Sequence, residues 1–408
     1  MPRLLAINNY YYARGGAEVV FFEHNRLFEA MGWEVVPFAM QHAKNYPSMW
    51  SKYFVKELEY GYDYSFYGKV VRAVKSIYSV EARRKLSRLI DIVQPDISHL
   101  HNIYHHISPS ILGLLKDRGV PVVLTLHDLK IACPAYKMMA PDGICERCKN
   151  GKIYNVFFYR CLKGSYGISA IAAVEASVHS LLGSYSNHVD RFVVPSRFYI
   201  EKFAEWGWDK QNFVCIPNFV DVESLRPEYG PGHYFLYFGR LSEEKGISTL
   251  IKAVSQAGVS LKVVGSGPEE PELRKLADTL GARIEFLGYL SGSSLHDAIR
   301  ASRAVVVPSE WYENAPMSLM EAYAFGKPVI GAAIGGIPEL IRSGETGAMF
   351  EAGSIESLAS KLIRFKSMAD AEISEMGRAG RIWVEGEFSK ERYRDRISDV
   401  YSELGVRS

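Results

Sequence analysis

The chain has 408 residues, with 48 Lys and Arg against 46 Asp and Glu, 48% hydrophobic residues and 12% aromatics. This length and apolar content suffice for two ordinary domains with real cores, and the near-neutral charge argues against a disordered tail or a chain that coats nucleic acid. The opening apolar run Leu4-Leu5-Ala6-Ile7 is too short for a signal peptide and no uninterrupted apolar stretch reaches about 18 residues, so a cytoplasmic protein is expected.

Short apolar strand patterns alternate with glycine loops and helical periods, which predicts an α/β architecture. Arg3 to Asn8 reads as a strand, and the loop Tyr10 to Gly16 holds Gly15-Gly16. Ala17 to Met31 has helical spacing that Gly32 stops, and Glu34 to Ala39 is a second strand. Ile97 to His101, Val120 to Leu126 and Arg191 to Pro195 are strand-like, with helices at Ser108 to Arg118 and Ile168 to Leu182. The latter, interrupted only by Glu175 and His179 in its apolar content, reads as a core helix.

A second series opens at Tyr234 to Phe238, continues through a helix over Gly246 to Ala257 and a strand at Ser260 to Val264, and turns at Gly265-Ser266-Gly267-Pro268 into a helix over Glu269 to Leu280. Strands follow at Ile284 to Leu287, Ala304 to Val307 and Val329 to Gly331. The turn-rich Pro217 to Gly232 is the linker candidate, which gives domains 1–221 and 222–388 and a terminal helix within 389–408.

Charge is uneven: residues 1–221 carry 26 basic and 20 acidic side chains, leaving 22 and 26 for the rest. Residues 51–90 alone hold nine basic and four acidic residues, interleaved with Tyr53, Phe54, Tyr60, Tyr62, Tyr64, Phe66, Tyr67 and Tyr78. Such a segment suits peripheral association with an anionic membrane face as well as it suits a solvated surface.

Glu313 and Glu321 are spaced E-x7-E around a helix start near Pro316, which leaves Glu313 at the mouth and Glu321 inside the helix. Free N–H groups there bind phosphate or sugar oxygens, and carboxylates hold sugar hydroxyls. Arg240 and Lys245 lie on a loop after a strand, where parallel sheets form ligand crevices, and could clamp a diphosphate; no Asp-x-Asp pair offers a metal bridge. Taken singly, all four also read as solvated charges. The run His99 to His106 follows a strand and suggests acceptor contacts, with a histidine metal site as the alternative. Cys133, Cys145, Cys148 and Cys161 form C-x11-C-x2-C-x12-C in an insertion over 133–161, a spacing that suits structural zinc or four reduced thiols, while Cys215 stands apart.

Phe238-Gly239-Arg240 to Lys245-Gly246, Gly265-Ser266-Gly267-Pro268, Glu313 to Glu321 and Gly335-Gly336-Ile337-Pro338-Glu339 follow the order and spacing of family 4 glycosyltransferases. The chain resembles a retaining GT-B enzyme of that family, strongly over 234–350 and more weakly through Gly15-Gly16-Ala17-Glu18 and His127-Asp128. The resemblance implies two Rossmann-like doubly wound domains facing each other across a cleft. It implies a UDP- or GDP-type nucleotide-sugar donor held mainly by the second domain, a glycan or lipid-linked acceptor on the first, and a final helix that crosses back.

Under it, Arg240 and Lys245 neutralise the diphosphate, and Glu321 holds the ribose. Glu313, Asn314, Ala315, Pro316 and Met317 position the sugar and distal phosphate, with Gly267 on the donor side. Gly15 and Gly16 let the first-domain loop approach the phosphate, His127 contacts the donor sugar, and His101, His105 and Asp128 face the acceptor. No cofactor, protein nucleophile or general base is required, and the product is a cell-surface polysaccharide or lipid-linked glycan. The rival readings are a GT-B phosphorylase, a nucleotide-sugar epimerase, or a non-catalytic binding module.

Overall fold

The computed structural model describes residues 1–57 and 74–406. The first sheet comprises β1 (Arg3–Ile7), β2 (Glu34–Phe38), β3 (Ile97–Leu100), β4 (Val122–Thr125), β7 (Arg191–Val194) and β8 (Phe213–Cys215), while β5 (Met139–Ala140) and β6 (Gly143–Ile144) form a separate antiparallel hairpin. The second sheet comprises β9 (Phe235–Phe238), β10 (Leu261–Val264), β11 (Ile284–Gly288), β12 (Ala304–Val307), β13 (Val329–Ala332) and β14 (Gly347–Phe350). Strands such as β9 and β12 are buried along their whole length, because helices cover both faces of a parallel sheet.

The orders are β2-β1-β3-β4-β7-β8 and β11-β10-β9-β12-β13-β14, all parallel within each sheet. Strand order reverses at β1/β3 in one sheet and at β9/β12 in the other. A crevice opens outside the carboxyl ends of the strands at such a switch point, and each sheet turns that edge to the other. This is the two-domain α/β GT-B arrangement the motifs imply.

The helix Lys390–Glu403 lies on the first sheet's own core, where Tyr393, Ile397, Val400 and Tyr401 pack with Leu4, Phe28, Ile97 and Val193. β8 and β14 are not among the strands expected from the sequence: β8 has only three residues, two of them partly buried, and β14 opens on Gly347-Ala348, which carry too little side chain to read as a strand. The same holds for the helix Arg197–Glu205, whose polar flank masks its buried Tyr199 and Phe203.

One expectation is reversed. The helix Tyr166–Leu181 is not a core helix: it buries Ser169, Ala172, Glu175 and His179 and exposes Ile168, Val174 and Leu181. Its inner face meets the ammonium of Lys130, and a carboxylate answers that charge where an aliphatic side chain cannot. Of the basic, aromatic segment 51–90, Tyr60, Tyr62, Tyr64, Phe66 and Tyr67 lie outside the described residues. Among the described residues no helix is long and apolar enough to cross a membrane.

Candidate active site between the two sheets

The second sheet's switch point is assembled by loops that touch through glycine. Gly246 has φ +66°, and a Cβ there would stand 2.0 Å from Pro308 O, so only glycine lets the loop after β9 close on the loop after β12. That contact brings Lys245 Nζ to 2.6 Å from Glu313 Oε1, and Ser309 Oγ donates to the same oxygen at 2.6 Å. Burial pushes the Glu313 carboxyl up, but the Lys245 charge and these hydrogen bonds outweigh it and hold the group below its ordinary range. Glu313 is therefore an anion at neutral pH, compensated in place.

Two charges beside this pair are left open. Arg240, just past β9, is exposed, and among the described residues its guanidinium has no ion-pair or side-chain hydrogen-bond partner. Glu321 sits in the second turn of the helix Met317–Ala324, partly buried and likewise without a polar partner, and burial raises its carboxyl to about 7. Asn314, Ala315, Pro316 and Met317 form the mouth of that helix, with Pro316 at its N-cap. Gly267 is also required by packing: a Cβ there would lie 2.0 Å from Leu241 O, so it seats the second glycine turn under the first.

Across the crevice, Gly15 caps the helix Gly16–Ala30, and a Cβ on Gly16 would lie 3.9 Å from Met317 Cγ. The two helix mouths thus face each other, each with free N–H groups. Asn314 joins the domains, donating from Nδ2 to Leu126 O at 3.0 Å and accepting from Ser196 Oγ at 2.8 Å. Glu339 accepts from Arg197 N and Phe198 N at 2.9 and 2.6 Å, capping a first-domain helix from the second domain. Lys137 pairs with Glu244 at 2.8 Å. Nothing in the neighbourhood of Glu339 marks this cap; Ser196 is marked locally only as the N-cap of its own helix, accepting from Tyr199 N, while its bond to Asn314 and that of Lys137 to Glu244 each span more than 100 residues. Glu18, beneath the Gly15 loop, is buried, and that burial raises its carboxyl.

The histidines divide differently from the expectation. His127, just past β4, is partly exposed at the crevice, its imidazole lowered to about 4 by burial. His101 is only 1% exposed and is stacked between the rings of His99 and His127, so it cannot reach an acceptor. Its Nδ1 lies 2.8 Å from His127 Nε2, while its own Nε2 is buried without a partner. A buried orphan N–H is the costlier defect, which places the His101 proton on Nδ1 and leaves His127 offering Nδ1–H to the crevice. Behind them His99 bonds Tyr401 and Thr125 at 2.6 and 2.7 Å, and His24 meets Tyr393 at 3.0 Å, tying the stack to the terminal helix. His105 faces Glu175 at 3.8 Å, and Asp128, raised to about 6 by burial, accepts from Lys130 N at 2.9 Å.

Cys133, Cys145, Cys148 and Cys161 are free thiols gathered around the β5–β6 hairpin, and each pair is close enough to disfavour a second thiolate. Burial pushes Cys133 to about 11 and Cys148 to about 12. Backbone N–H groups of Ala135 and Met138 point at Cys133, that of Val156 points at Cys148, and Arg147 Nη1 stands 3.6 Å from Cys145 Sγ. Among the described residues, no set of three or more His, Cys, Asp or Glu side chains is spaced to grip an ion as it stands.

Comparison with known proteins agrees with this geometry. Residues 14–224 match the family described as Glycosyltransferase Family 4, and residues 226–383 match Glycosyl transferases group 1. A lipopolysaccharide core biosynthesis glycosyltransferase of Rhizobium meliloti is 28% identical over 254 residues, which span 59% of this chain and 70% of that protein. A GDP-mannose-dependent phosphatidylinositol monomannoside mannosyltransferase of Corynebacterium glutamicum is 32% identical over 54% of this chain and 64% of its own length. Among solved structures, sucrose-phosphate synthase from Thermosynechococcus elongatus superposes with a TM-score of 0.73 at 19% identity, covering 99% of each chain. Anabaena HepE in complex with UDP and glucose superposes with a TM-score of 0.68 at 15% identity, covering 99% of this chain and 100% of that one.

Proposed function

The chain belongs to the group 1, family 4 glycosyltransferases, and from that premise we propose that it moves a sugar from a UDP- or GDP-type donor to a glycan or lipid-linked hydroxyl with retention of configuration. The observation that carries this is the pairing of open and compensated charge at one switch point: Lys245 neutralised against Glu313, with Arg240 and Glu321 unpartnered beside them. A diphosphate brings two negative charges to Arg240, Lys245 and the facing helix mouths, while ribose hydroxyls give Glu321 the donors it lacks. The names of the relatives, which include a GDP-mannose-dependent enzyme and a structure holding UDP and glucose, support the donor class.

In this reading Arg240 and Lys245 stabilise the charge that grows on the leaving diphosphate. His127 Nδ1–H steadies the transferred sugar. The departing phosphate oxygen itself takes the acceptor proton on the same face, so the anomeric carbon keeps its configuration with no protein nucleophile. A thermal-shift series against UDP, GDP, ADP and their sugar conjugates tests the donor, since a ligand of the folded state raises the melting temperature. Proton NMR of the transferred sugar then reads the anomer. An inverted product overturns the retaining assignment, and no shift with any nucleotide overturns the donor assignment.

A further inference from the structure

The helix Tyr166–Leu181 is amphipathic the wrong way round for a globular protein. Ser169 and Glu175, 0% and 2% exposed, face inward and are satisfied there: Ser169 Oγ accepts from Leu162 N at 3.2 Å, and Glu175 accepts from Lys130 Nζ at 3.0 Å. Ile171, Val174, Val178 and Leu181 recur every three or four residues as one stripe, with Val174 52% and Leu181 87% exposed. Val174 and Leu181 stand in water two turns apart, with Ile171 and Val178 half-buried along the same stripe, and a contiguous aliphatic strip of this kind marks a surface that something covers.

The stripe continues into aromatics. The short helix Asn155–Phe158 leaves Phe158 63% exposed, the Phe157 ring lies 5.5 Å from it and 5.2 Å from Tyr166, and Arg160 sits over Tyr166 at 5.2 Å. Over residues 150–185 the charged side chains are Lys152, Arg160, Lys163 and Glu175. Glu175 is the buried one, so the exposed charges of this segment are all cationic, and the anion beside its aromatics, Asp142, is already paired with Arg147, whose guanidinium lies over Tyr159. A second copy of the chain would set one cationic rim against the other across a two-fold contact. An anionic bilayer supplies the complement to both parts: acyl boundary for the stripe, headgroup phosphates for the cations, and an interface where tyrosine is at home.

We propose that this face docks the protein on an anionic phospholipid surface. The helix is also coupled to the crevice, because Lys130 holds Glu175 with its ammonium and Asp128 with its backbone N–H. Docking would therefore present the acceptor side of the cleft to the bilayer, but the docking stands on its own and does not depend on sugar transfer.

The test is flotation of the full chain with vesicles of phosphatidylcholine alone or mixed with phosphatidylglycerol, at low and raised salt. Binding is expected only with phosphatidylglycerol and is expected to fall with salt. Val174→Ser with Leu181→Ser should weaken it roughly tenfold or more, and Lys152→Glu with Lys163→Glu should remove its salt-dependent part. These substitutions touch no buried group, and unchanged melting curves verify that each variant is folded. Binding to mixed vesicles that both variants retain, or no binding by the parent chain, overturns the proposal. A parent dimer in light scattering that Leu181→Ser dissociates would assign the face to a second copy instead.

Discussion

Glu321 offers a perturbation with two opposite signatures. Its carboxyl is raised from the ordinary 4.5 to about 7 by burial, with no cation or donor to offset the desolvation. Below about pH 4.5 both folded and unfolded chains hold the proton, and this group does not affect stability. Between about 4.5 and 7 the unfolded chain loses the proton first, so it binds fewer protons than the native state and stability falls as pH rises. Above about 7 the loss is complete. At about 1.4 kcal/mol per pH unit the shift corresponds to about 3 kcal/mol, and solvent reaching the partly exposed carboxylate reduces this to about 1–2 kcal/mol.

Glu321→Gln keeps the shape and removes the ionisation. The variant should melt roughly 3–6 °C higher than the parent at about pH 8.5, taking the second domain as the unfolding unit, and within a degree or so of it near pH 5. Nucleotide binding should move the other way. Losing a charged acceptor for the ribose hydroxyls costs about 1.5–3 kcal/mol, or roughly 10- to 100-fold in affinity for the nucleotide the screen identifies. Melting curves against pH and titration calorimetry read the two effects separately. A variant no more stable at high pH refutes the burial argument, and unchanged nucleotide affinity refutes the ribose assignment.

Lys245→Met strands the buried Glu313 carboxylate, and breaking such a pair costs about 3–5 kcal/mol; adding Glu313→Gln should restore most of the melting temperature but not transfer activity. Gly16→Ala places a methyl in ordinary contact with Met317, so the protein should fold normally and lose kcat/KM, whereas Gly336→Ala drives a Cβ to 2.0 Å from Asn314 O and should lower the melting temperature itself. The four-cysteine cluster is proposed to close on structural zinc. Metal analysis of protein purified without chelator should give about one zinc per chain, and Cys148→Ser should abolish it; metal-free protein of unchanged melting temperature would leave four reduced thiols, two of them buried.

What could be read from the sequence follows the range over which each signal acts. Buried parallel strands announce themselves as continuous apolar runs, as in Phe235–Phe238 and Ala304–Val307, and the glycine motifs placed the crevice loops. The reason for each glycine was out of reach, because Gly246 answers to Pro308 and Gly336 to Asn314, each far along the chain. His99 and His101 alternate with Leu100 and so share one face of the strand, which was legible. That Tyr401 from the last helix meets His99, and that Phe21 and His24 from the first helix cover His101, was not, and this cover is why His101 bonds His127 instead of meeting an acceptor.

The helix Tyr166–Leu181 shows the limit most clearly. Its polar positions Ser169, Glu175 and His179 form a stripe as regular as its apolar one, so periodicity alone fixes two faces without saying which is inside. Apolarity makes burial the default choice. The choice is reversed here by one interaction, the Lys130 ammonium, 8% exposed beside the crevice, which requires a buried carboxylate opposite it. With Glu175 committed inward, the helix has no rotation left that also buries Val174 and Leu181, and the aliphatic stripe is carried to the surface as a consequence of the charge beneath it.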